Sequence, residues 1–295
     1  MRKVWRLNLA TLQWGQMPNL NATRRNHGCC IVRGSLVALG GEYDGYDWRK
    51  GCTGRVDKKE VFTSSVEVLP PGEQKAFVDL PPLSCGSLAG TQAVAMEESN
   101  STAGTVLLLG GGHKNGDVVS TVYLVDLATG VCTPQSSLLI ARHWFAAARL
   151  PDGRIACAGG CHEMHRVMRS AEVMAVDGTW TKLPSMLAAR AGCRGCVLSD
   201  GRFAVLGGRD NSEPKLASCE VIAVGDVDAT WKPMPPMYEA RDWFACAAVA
   251  GCIIVAGGHE ISSAELFDEG LNRWFRLPVA LPTHYGLIHM GCVLL

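Results

Sequence analysis

The segment ARHWFAAARLPDGRIACAGGCHE, residues 141–163, holds side chains that could do chemistry. Among its side chains, His143, His162, Cys161 and Glu163 are residue types that bind zinc or serve in hydrolysis. No second cluster follows at the spacing of a tetrahedral zinc site, and related positions along the chain carry different residues. We therefore predict no metal site here, and interpret the segment as one copy of a repeated unit.

Double glycines recur along the chain, and each closes a short apolar run such as SLVALGG or RFAVLGG. Such runs are typical of buried strands that end where only glycine fits. The second glycines of successive pairs lie 70, 49, 48 and 50 residues apart, which indicates a repeat of about 50 residues. Because these glycines end strands rather than open a helix, we predict no phosphate-binding loop and no cofactor. The pairs are Gly40-Gly41, Gly110-Gly111, Gly159-Gly160, Gly207-Gly208 and Gly257-Gly258.

A second pattern follows the glycine pairs: another apolar strand, and then an aromatic residue with an apolar residue and proline behind it, as in WTKLP, WKPMP and WFRLP. The segment at Cys132 reads CTPQS and departs from this pattern. The aromatic position, with its departure at Cys132, recurs six times along the chain, which predicts six repeat units. The registers are 14, 77, 132, 180, 231 and 274, and the residues ten positions beyond them are Arg24, Ser87, Arg142, Arg190, Arg241 and His284.

Repeated double glycines, a tryptophan register and a turn with arginine resemble the kelch repeat family, and the resemblance covers essentially the whole chain. The tyrosine expected on the second strand is found only at Tyr123. The resemblance implies an all-β fold, a six-bladed kelch-type β-propeller that forms a single domain over residues 1–295. We expect the N-terminal strands, in residues 1–14, to complete the sixth blade with the C-terminal strands, in residues 284–295, because closure removes exposed sheet edges.

Strand order places the arginine turn and the double glycines at one rim of the predicted propeller. The arginines there could bind acidic peptide, phosphate or carboxylate groups, and in some kelch domains arginines at this turn bind acidic degron-like peptides. They could instead pair with the glutamates of the Ser-x-Glu pattern, and the sequence leaves both alternatives open. The ring predicted for binding is Arg24, Ser87, Arg142, Arg190, Arg241 and His284, and the glutamates are Glu67, Glu172, Glu220 and Glu265.

Two further aromatic features lie near this rim. The long insertion after Gly41 carries Tyr43, Tyr46 and Trp48, which mix with basic residues as interface residues do, so we predict that they contribute to binding. Trp144 and Trp243 follow the arginine turn in matching copies. Blade packing is the favoured interpretation of these two tryptophans, and a platform for a sugar is the alternative.

Composition limits the partners. The 28 basic and 28 acidic residues balance, so no overall field favours nucleic acid or an anionic membrane. The apolar runs are too short for a transmembrane helix. Thirteen cysteines scattered over the chain fit reduced thiols better than a disulfide framework, which predicts a cytoplasmic protein, with the nucleus as a second compartment.

The function predicted from these observations is a non-enzymatic scaffold that binds a partner protein or acidic peptide on the arginine-bearing face. We expect a monomeric propeller within a larger complex, and recognition of substrates for a ubiquitin ligase is one role that the resemblance allows. The alternative is a carboxylate- or sugar-handling enzyme of the sialic-acid-processing type, in which an arginine cluster would hold a carboxylate. No nucleophile and base stand out from the repeat, which favours the scaffold.

Overall fold

The computed structural model describes residues 2–44, 60–72, 76–96, 102–163, 166–212, 214–226 and 228–282. The regular elements in these ranges are β-strands, numbered β1 to β24 in chain order. Nowhere in them does a helix have the length and apolar character needed to cross a membrane.

The chain begins with a two-stranded sheet of β1 (Val4–Asn8) and β2 (Gln13–Met17). Five four-stranded antiparallel sheets follow, here called blades 1 to 5, and the strands of each are lettered a to d in chain order. Blade 1 also has a two-stranded insertion of β5 (Glu42–Asp44) and β6 (Glu60–Phe62) between its strands b and c.

The strands of each blade, from a to d, have the following bounds. Blade 1 contains β3 (Gly28–Val32), β4 (Ser35–Leu39), β7 (Val66–Leu69) and β8 (Val78–Leu80); blade 2 contains β9 (Gln92–Met96), β10 (Thr105–Gly112), β11 (Val118–Asp126) and β12 (Cys132–Pro134). Blade 3 contains β13 (Ala146–Arg149), β14 (Ile155–Ala158), β15 (Ala171–Met174) and β16 (Trp180–Leu183). Blade 4 contains β17 (Arg194–Val197), β18 (Phe203–Leu206), β19 (Cys219–Ile222) and β20 (Lys232–Met234); blade 5 contains β21 (Ala245–Val249), β22 (Cys252–Ala256), β23 (Ser263–Asp268) and β24 (Arg273–Ala280).

The blades pack face to face, with their a strands side by side in chain order. Successive side chains of a strand point to opposite faces of its sheet, so a strand covered on both faces must be apolar throughout. Strands β14 and β18 meet this requirement and are buried at every position. Apolar clusters accordingly join neighbouring blades, as where Phe203 and Val205 of blade 4 pack with Ala146 and Ala156 of blade 3.

The structure describes five four-stranded blades, not the six that the sequence predicts, and it does not confirm the closure. The predicted inner strands of the sixth blade, in residues 284–295, lie outside the described residues. Its predicted outer strands are present as the β1–β2 sheet, which packs between blades 5 and 1. Trp5 and Trp14 join an apolar cluster with Ala256 of blade 5, whereas Val4 and Met17 join one with residues of blade 1.

Close approach between blades explains the double glycines. A Cβ atom on Gly207 would lie 2.5 Å from the carbonyl oxygen of Arg241 in the next blade, and the φ of Gly207 is 55°. The N–H of Gly208 donates to that same carbonyl oxygen at 2.7 Å. Any other residue type would lose this contact because its Cβ atom would strike the next blade.

Candidate binding site at the axial channel

The four arginines predicted at the rim are buried. Arg142 is representative: its Nη1 donates to the carbonyl oxygen of Gly159 at 2.6 Å, and its Nη2 donates to Glu172 Oε1 at 2.7 Å. Both side chains of this ion pair are at most 1% exposed. The ion pairs are Arg24–Glu67, Arg142–Glu172, Arg190–Glu220 and Arg241–Glu265.

The glutamates also hold the turn before strand a. Glu220 accepts the backbone N–H of Leu187 at 2.6 Å and that of Ala188 at 3.0 Å. One ion pair therefore connects the turn, the end of strand b and strand c within a single blade. The four guanidinium groups donate to partners inside the blades. The arginines therefore do not form an exposed ring, and they pair with the glutamates as the alternative interpretation expects.

Ser87 does not occupy the arginine position of blade 2; Leu88 does. The N–H of Gly41 donates to the carbonyl oxygen of Leu88 at 2.8 Å, as glycine N–H groups of other blades do to their neighbouring arginine. The loop before β9 is one residue longer than its counterparts, which shifts the register by one. The glutamate position of blade 2 is Tyr123, which pairs with Leu108 as Glu220 pairs with Val205, and Leu88 and Tyr123 belong to one apolar cluster, so apolar packing replaces the buried ion pair.

The other predicted site residues lie apart from the arginines or outside the described residues. Tyr43 lies on β5, opposite Val61, and is half-buried. Tyr46, Trp48 and His284 fall in the ranges that the structure does not describe.

Of the predicted ligand-type residues of blade 3, His143 and Cys161 stand opposite each other in an isolated β-bridge. Cys161 is buried, and burial raises the pKa of its thiol to about 12. His162 and Glu163 follow it in the connection to strand c. In the described ranges no three Cys, His, Asp or Glu side chains are arranged to hold a metal ion.

A chain of turn residues runs from blade to blade across the five described blades. They stand two positions after each arginine or its Leu88 equivalent, and all have left-handed backbone, with φ between 49° and 71°. Hydrogen bonds join them from blade to blade: Gly90 N donates to Asn26 O (2.7 Å), Trp144 N to Gly90 O (3.0 Å), Gly192 N to Trp144 O (2.8 Å), and Trp243 N to Gly192 O (2.8 Å). Sequence reasoning singled out Trp144 and Trp243 of this set but missed Asn26, Gly90 and Gly192.

The two tryptophans of this chain of turns lie over the two glycines. A Cβ atom on Gly90 would stand 3.0 Å from the Trp144 ring, and one on Gly192 would stand 3.0 Å from the Trp243 ring. The indoles meet edge to face with centroids 5.8 Å apart. Arg209 lies over the Trp243 ring, with Cζ 4.2 Å from its centroid, so a cation and an aromatic face stand together at the rim.

These turns border a cavity of about 140 Å³ that is lined by both tryptophans, His27, Thr91 and Arg194 among others. The Thr91 hydroxyl and His27 Nδ1 have no hydrogen-bond partner in the described part of the protein. Burial, and then the charge of Arg24, lowers the pKa of His27 to about 3, so its imidazole is neutral at pH 7. Arg194 thus supplies the positive charge of the described lining, and the cavity favours a polar or acidic group.

Four-stranded antiparallel sheets that pack side by side around an axial cavity define a β-propeller. The solved structure of YjhT has the same fold, with a TM-score of 0.73 and 10% identity over 94% of this chain and 89% of that chain. No protein-family model matches the chain.

An F-box/kelch-repeat protein of Arabidopsis thaliana is 38% identical over 72 residues, which are 21% of this chain. The match spans only 18% of the relative's own length. With the repeated glycine pairs, tryptophans and arginine turns in these blades, the similarity supports a kelch-repeat propeller family for this chain.

Proposed function

We propose that this propeller is a non-enzymatic scaffold that binds a partner protein or acidic peptide at the axial rim formed by the turn residues. Trp144 and Trp243 carry the proposal. Left-handed backbone costs a bulky residue about 1–2 kcal/mol, and such strain tends to persist at functional sites. Tryptophan and arginine also dominate the binding energy of protein interfaces, and Arg209 and Arg194 stand beside these indoles.

The charge of the cavity supports an acidic ligand. Arg194 lines it, and His27 contributes no charge at pH 7 because of its lowered pKa. Arg194 Nε already donates to the carbonyl oxygen of Phe244 at 2.7 Å, which fixes the side chain in place. A partner carboxylate in this cavity would meet a cation that is already positioned, which reduces the ordering cost of binding.

The buried ion pairs weigh against the alternative of a carboxylate-handling enzyme. That alternative needs the four arginines to hold a substrate carboxylate, but their Nη groups donate to glutamates and to backbone carbonyls. The role in a ubiquitin ligase remains a proposal, and the F-box in the name of the Arabidopsis relative supports it by analogy alone.

We also propose that residues 284–295 complete a sixth blade with the β1–β2 sheet. Within the described residues, the hydrogen-bonded chain of turn residues runs from Asn26 of blade 1 to Trp243 of blade 5. The sequence carries Gly286 two residues after His284, and glycine is the residue of this position in two described blades. The contacts of β1–β2 with both flanking blades also support this arrangement.

Binding to matched peptides tests the main proposal. Acidic peptides and counterparts with Asn and Gln in place of Asp and Glu would be compared by fluorescence polarisation. We expect selective binding of acidic sequences, which weakens about tenfold or more in Trp243→Ala and Arg194→Gln, since central anchor residues contribute at least ~1.4–2 kcal/mol. Leu271→Ala changes an exposed residue of the loop between strands c and d in blade 5 and serves as the control.

Two results would contradict the proposal. One is equal binding of the acidic and amide peptides, and the other is equal loss in the Leu271→Ala control. Circular dichroism and melting curves would show that each variant remains folded. Turnover of a sialic-acid-like substrate by the wild-type protein would favour the enzyme instead.

A further inference from the structure

Strand d of blades 3, 4 and 5 is tied to the preceding blade by a tryptophan. Trp180, Trp231 and Trp274 are at most 7% exposed. Each indole Nε1 donates to a backbone carbonyl oxygen in the loop before its own blade: Trp180 to Ser136 (3.0 Å), Trp231 to Pro184 (2.8 Å) and Trp274 to Pro235 (2.8 Å). We call this repeated interaction the tryptophan contact.

Blade 2 has Cys132 at this position, and a second cysteine faces it. Cys85 lies in the loop between blades 1 and 2, and both cysteines pack against the apolar cluster that contains Leu83 and Val125, with the Cys132 thiol donating to the carbonyl oxygen of Gly130 at 3.6 Å. Ser84 holds the two segments together, because its N–H donates to the carbonyl oxygen of Gly130 at 2.9 Å and its Oγ accepts the N–H of Cys132 at 2.8 Å. Both cysteines are free and half-buried, so small oxidants can reach them.

We propose that Cys85 and Cys132 form a redox-active thiol pair, a covalent modification site that replaces the tryptophan contact in blade 2. The oxidant class is a peroxide. The Cys132 thiolate attacks hydrogen peroxide, so that an S–O bond forms, the O–O bond breaks and hydroxide leaves. The Cys85 sulfur then attacks the sulfenic acid, releasing water and forming the disulfide. In sum, two thiols and one hydrogen peroxide give one disulfide and two waters.

The surroundings of the pair favour reaction at Cys132. Interaction with the Cys85 thiol, and then hydrogen bonds from Ser84, lower the pKa of Cys132 to about 6, so Cys132 forms its thiolate more readily than an ordinary thiol. Cys85, which gives up its proton second, has a raised pKa because it donates to that thiolate. Burial raises the pKa of Cys219 to about 12, and that of Cys157 also rises, so these thiols remain protonated and unreactive.

Glycine makes the approach of the two segments possible. Gly130 has a φ of 72°, and a Cβ atom there would lie 2.3 Å from the carbonyl oxygen of Pro82. The turn before Cys132 therefore lies directly on the loop that carries Cys85. A disulfide at this point would link segments that are already in contact, so oxidation needs no separation of the blades.

Peptide mapping after peroxide treatment tests the proposal. We expect the wild-type protein at pH 7 to form a Cys85–Cys132 disulfide that dithiothreitol reverses. The Cys85→Ser variant should instead accumulate a dimedone-reactive sulfenic acid on Cys132, and Cys132→Ser should give neither product. Cys132→Trp introduces the residue type of blades 3, 4 and 5 and should fold without responding to peroxide at this site. Cys252→Ser is the control and should form the disulfide as the wild type does.

Alkylation of the untreated wild-type protein gives an independent measurement that needs no variant. The rate of iodoacetamide labelling at Cys132 should rise with a midpoint near pH 6, whereas labelling of Cys252 should rise only at alkaline pH, since burial and two acidic neighbours raise its pKa. A labelling midpoint of Cys132 near 9, or a peroxide-treated protein in which Cys85 and Cys132 stay unlinked, would overturn the proposal.

Discussion

The guanidinium of Arg190 and the carboxylate of Glu220 form a buried ion pair that is also part of the backbone framework of blade 4. Arg190 Nε and Nη2 donate to Glu220 Oε1 at 3.1 and 2.7 Å, and both side chains are at most 2% exposed. Arg190 Nη1 donates in addition to the carbonyl oxygens of Gly207 and Ser218. Neither partner can be removed without leaving buried polar groups unsatisfied.

Replacement of one partner should therefore destabilise the protein strongly. Arg190→Leu leaves a buried carboxylate without its cation, and Glu220→Val leaves a buried guanidinium, so we expect each to lower the free energy of unfolding by about 3–5 kcal/mol. The double variant removes both buried charges together and should lose less than the two single losses added together. Urea unfolding measures the free energy of unfolding of the two single variants and the double variant. Losses that add up would contradict the coupling between Arg190 and Glu220.

Replacement of a double glycine tests the close contact between blades. Gly207→Ala must accommodate a Cβ atom near the Arg241 carbonyl oxygen, whereas a Cβ atom on Gly116, whose φ is 92°, would meet no atom within 4 Å. We expect Gly116→Ala to lower the free energy of unfolding by about 1–2 kcal/mol because its backbone is left-handed. Gly207→Ala should lower it by about 1–3 kcal/mol more, because the new Cβ atom displaces packed neighbours. Equal melting temperatures for the two variants would refute this explanation of the glycine pair.

Deletion of residues 1–14 should expose the sides of blades 5 and 1. Trp5 and Trp14 would no longer cover the cluster that contains Ala256 and Leu281. We expect a sharply lower melting temperature and self-association through the uncovered edges, as measured by differential scanning fluorimetry and analytical ultracentrifugation. A monomer that melts like the full chain would contradict the role of the β1–β2 sheet.

Acid should destabilise the protein through His27. Its pKa is about 3 in the folded state, against an ordinary value of 6.5, so below pH 6.5 the unfolded chain takes up a proton that the folded protein does not. Stability should fall between pH 6.5 and about 3, by at most about 1.4 kcal/mol per pH unit from this group. Urea unfolding across this range should show a smaller slope for His27→Asn. The control variant Leu271→Ala, which changes an exposed residue that does not titrate, should keep the wild-type slope.

The repeat and the propeller fold could be predicted from the sequence, because the double glycines and the tryptophan register reflect contacts that recur in each blade. The orientation of the arginines could not be predicted, since spacing places a side chain near a rim without showing which way it points. The offset of ten residues fails at Ser87 because the loop before β9 has one extra residue, which moves the arginine position to Leu88. For Trp144 and Trp243 the sequence favours blade packing, and their left-handed backbone is visible only in the structure.

The arginine turn has a consequence for how such a chain can lengthen. Arg190 folds its own blade through its side chain, and its carbonyl oxygen accepts the N–H of Gly160 in the preceding blade. Gly208 of blade 4 binds the carbonyl oxygen of Arg241 in blade 5 in the same way. A repeat duplicated in tandem would therefore bring a glycine N–H that donates to the following blade and an arginine carbonyl oxygen that accepts from the preceding blade. The new copy could join both neighbours without any compensating substitution, so evolution by duplication needs no prior change at the junctions.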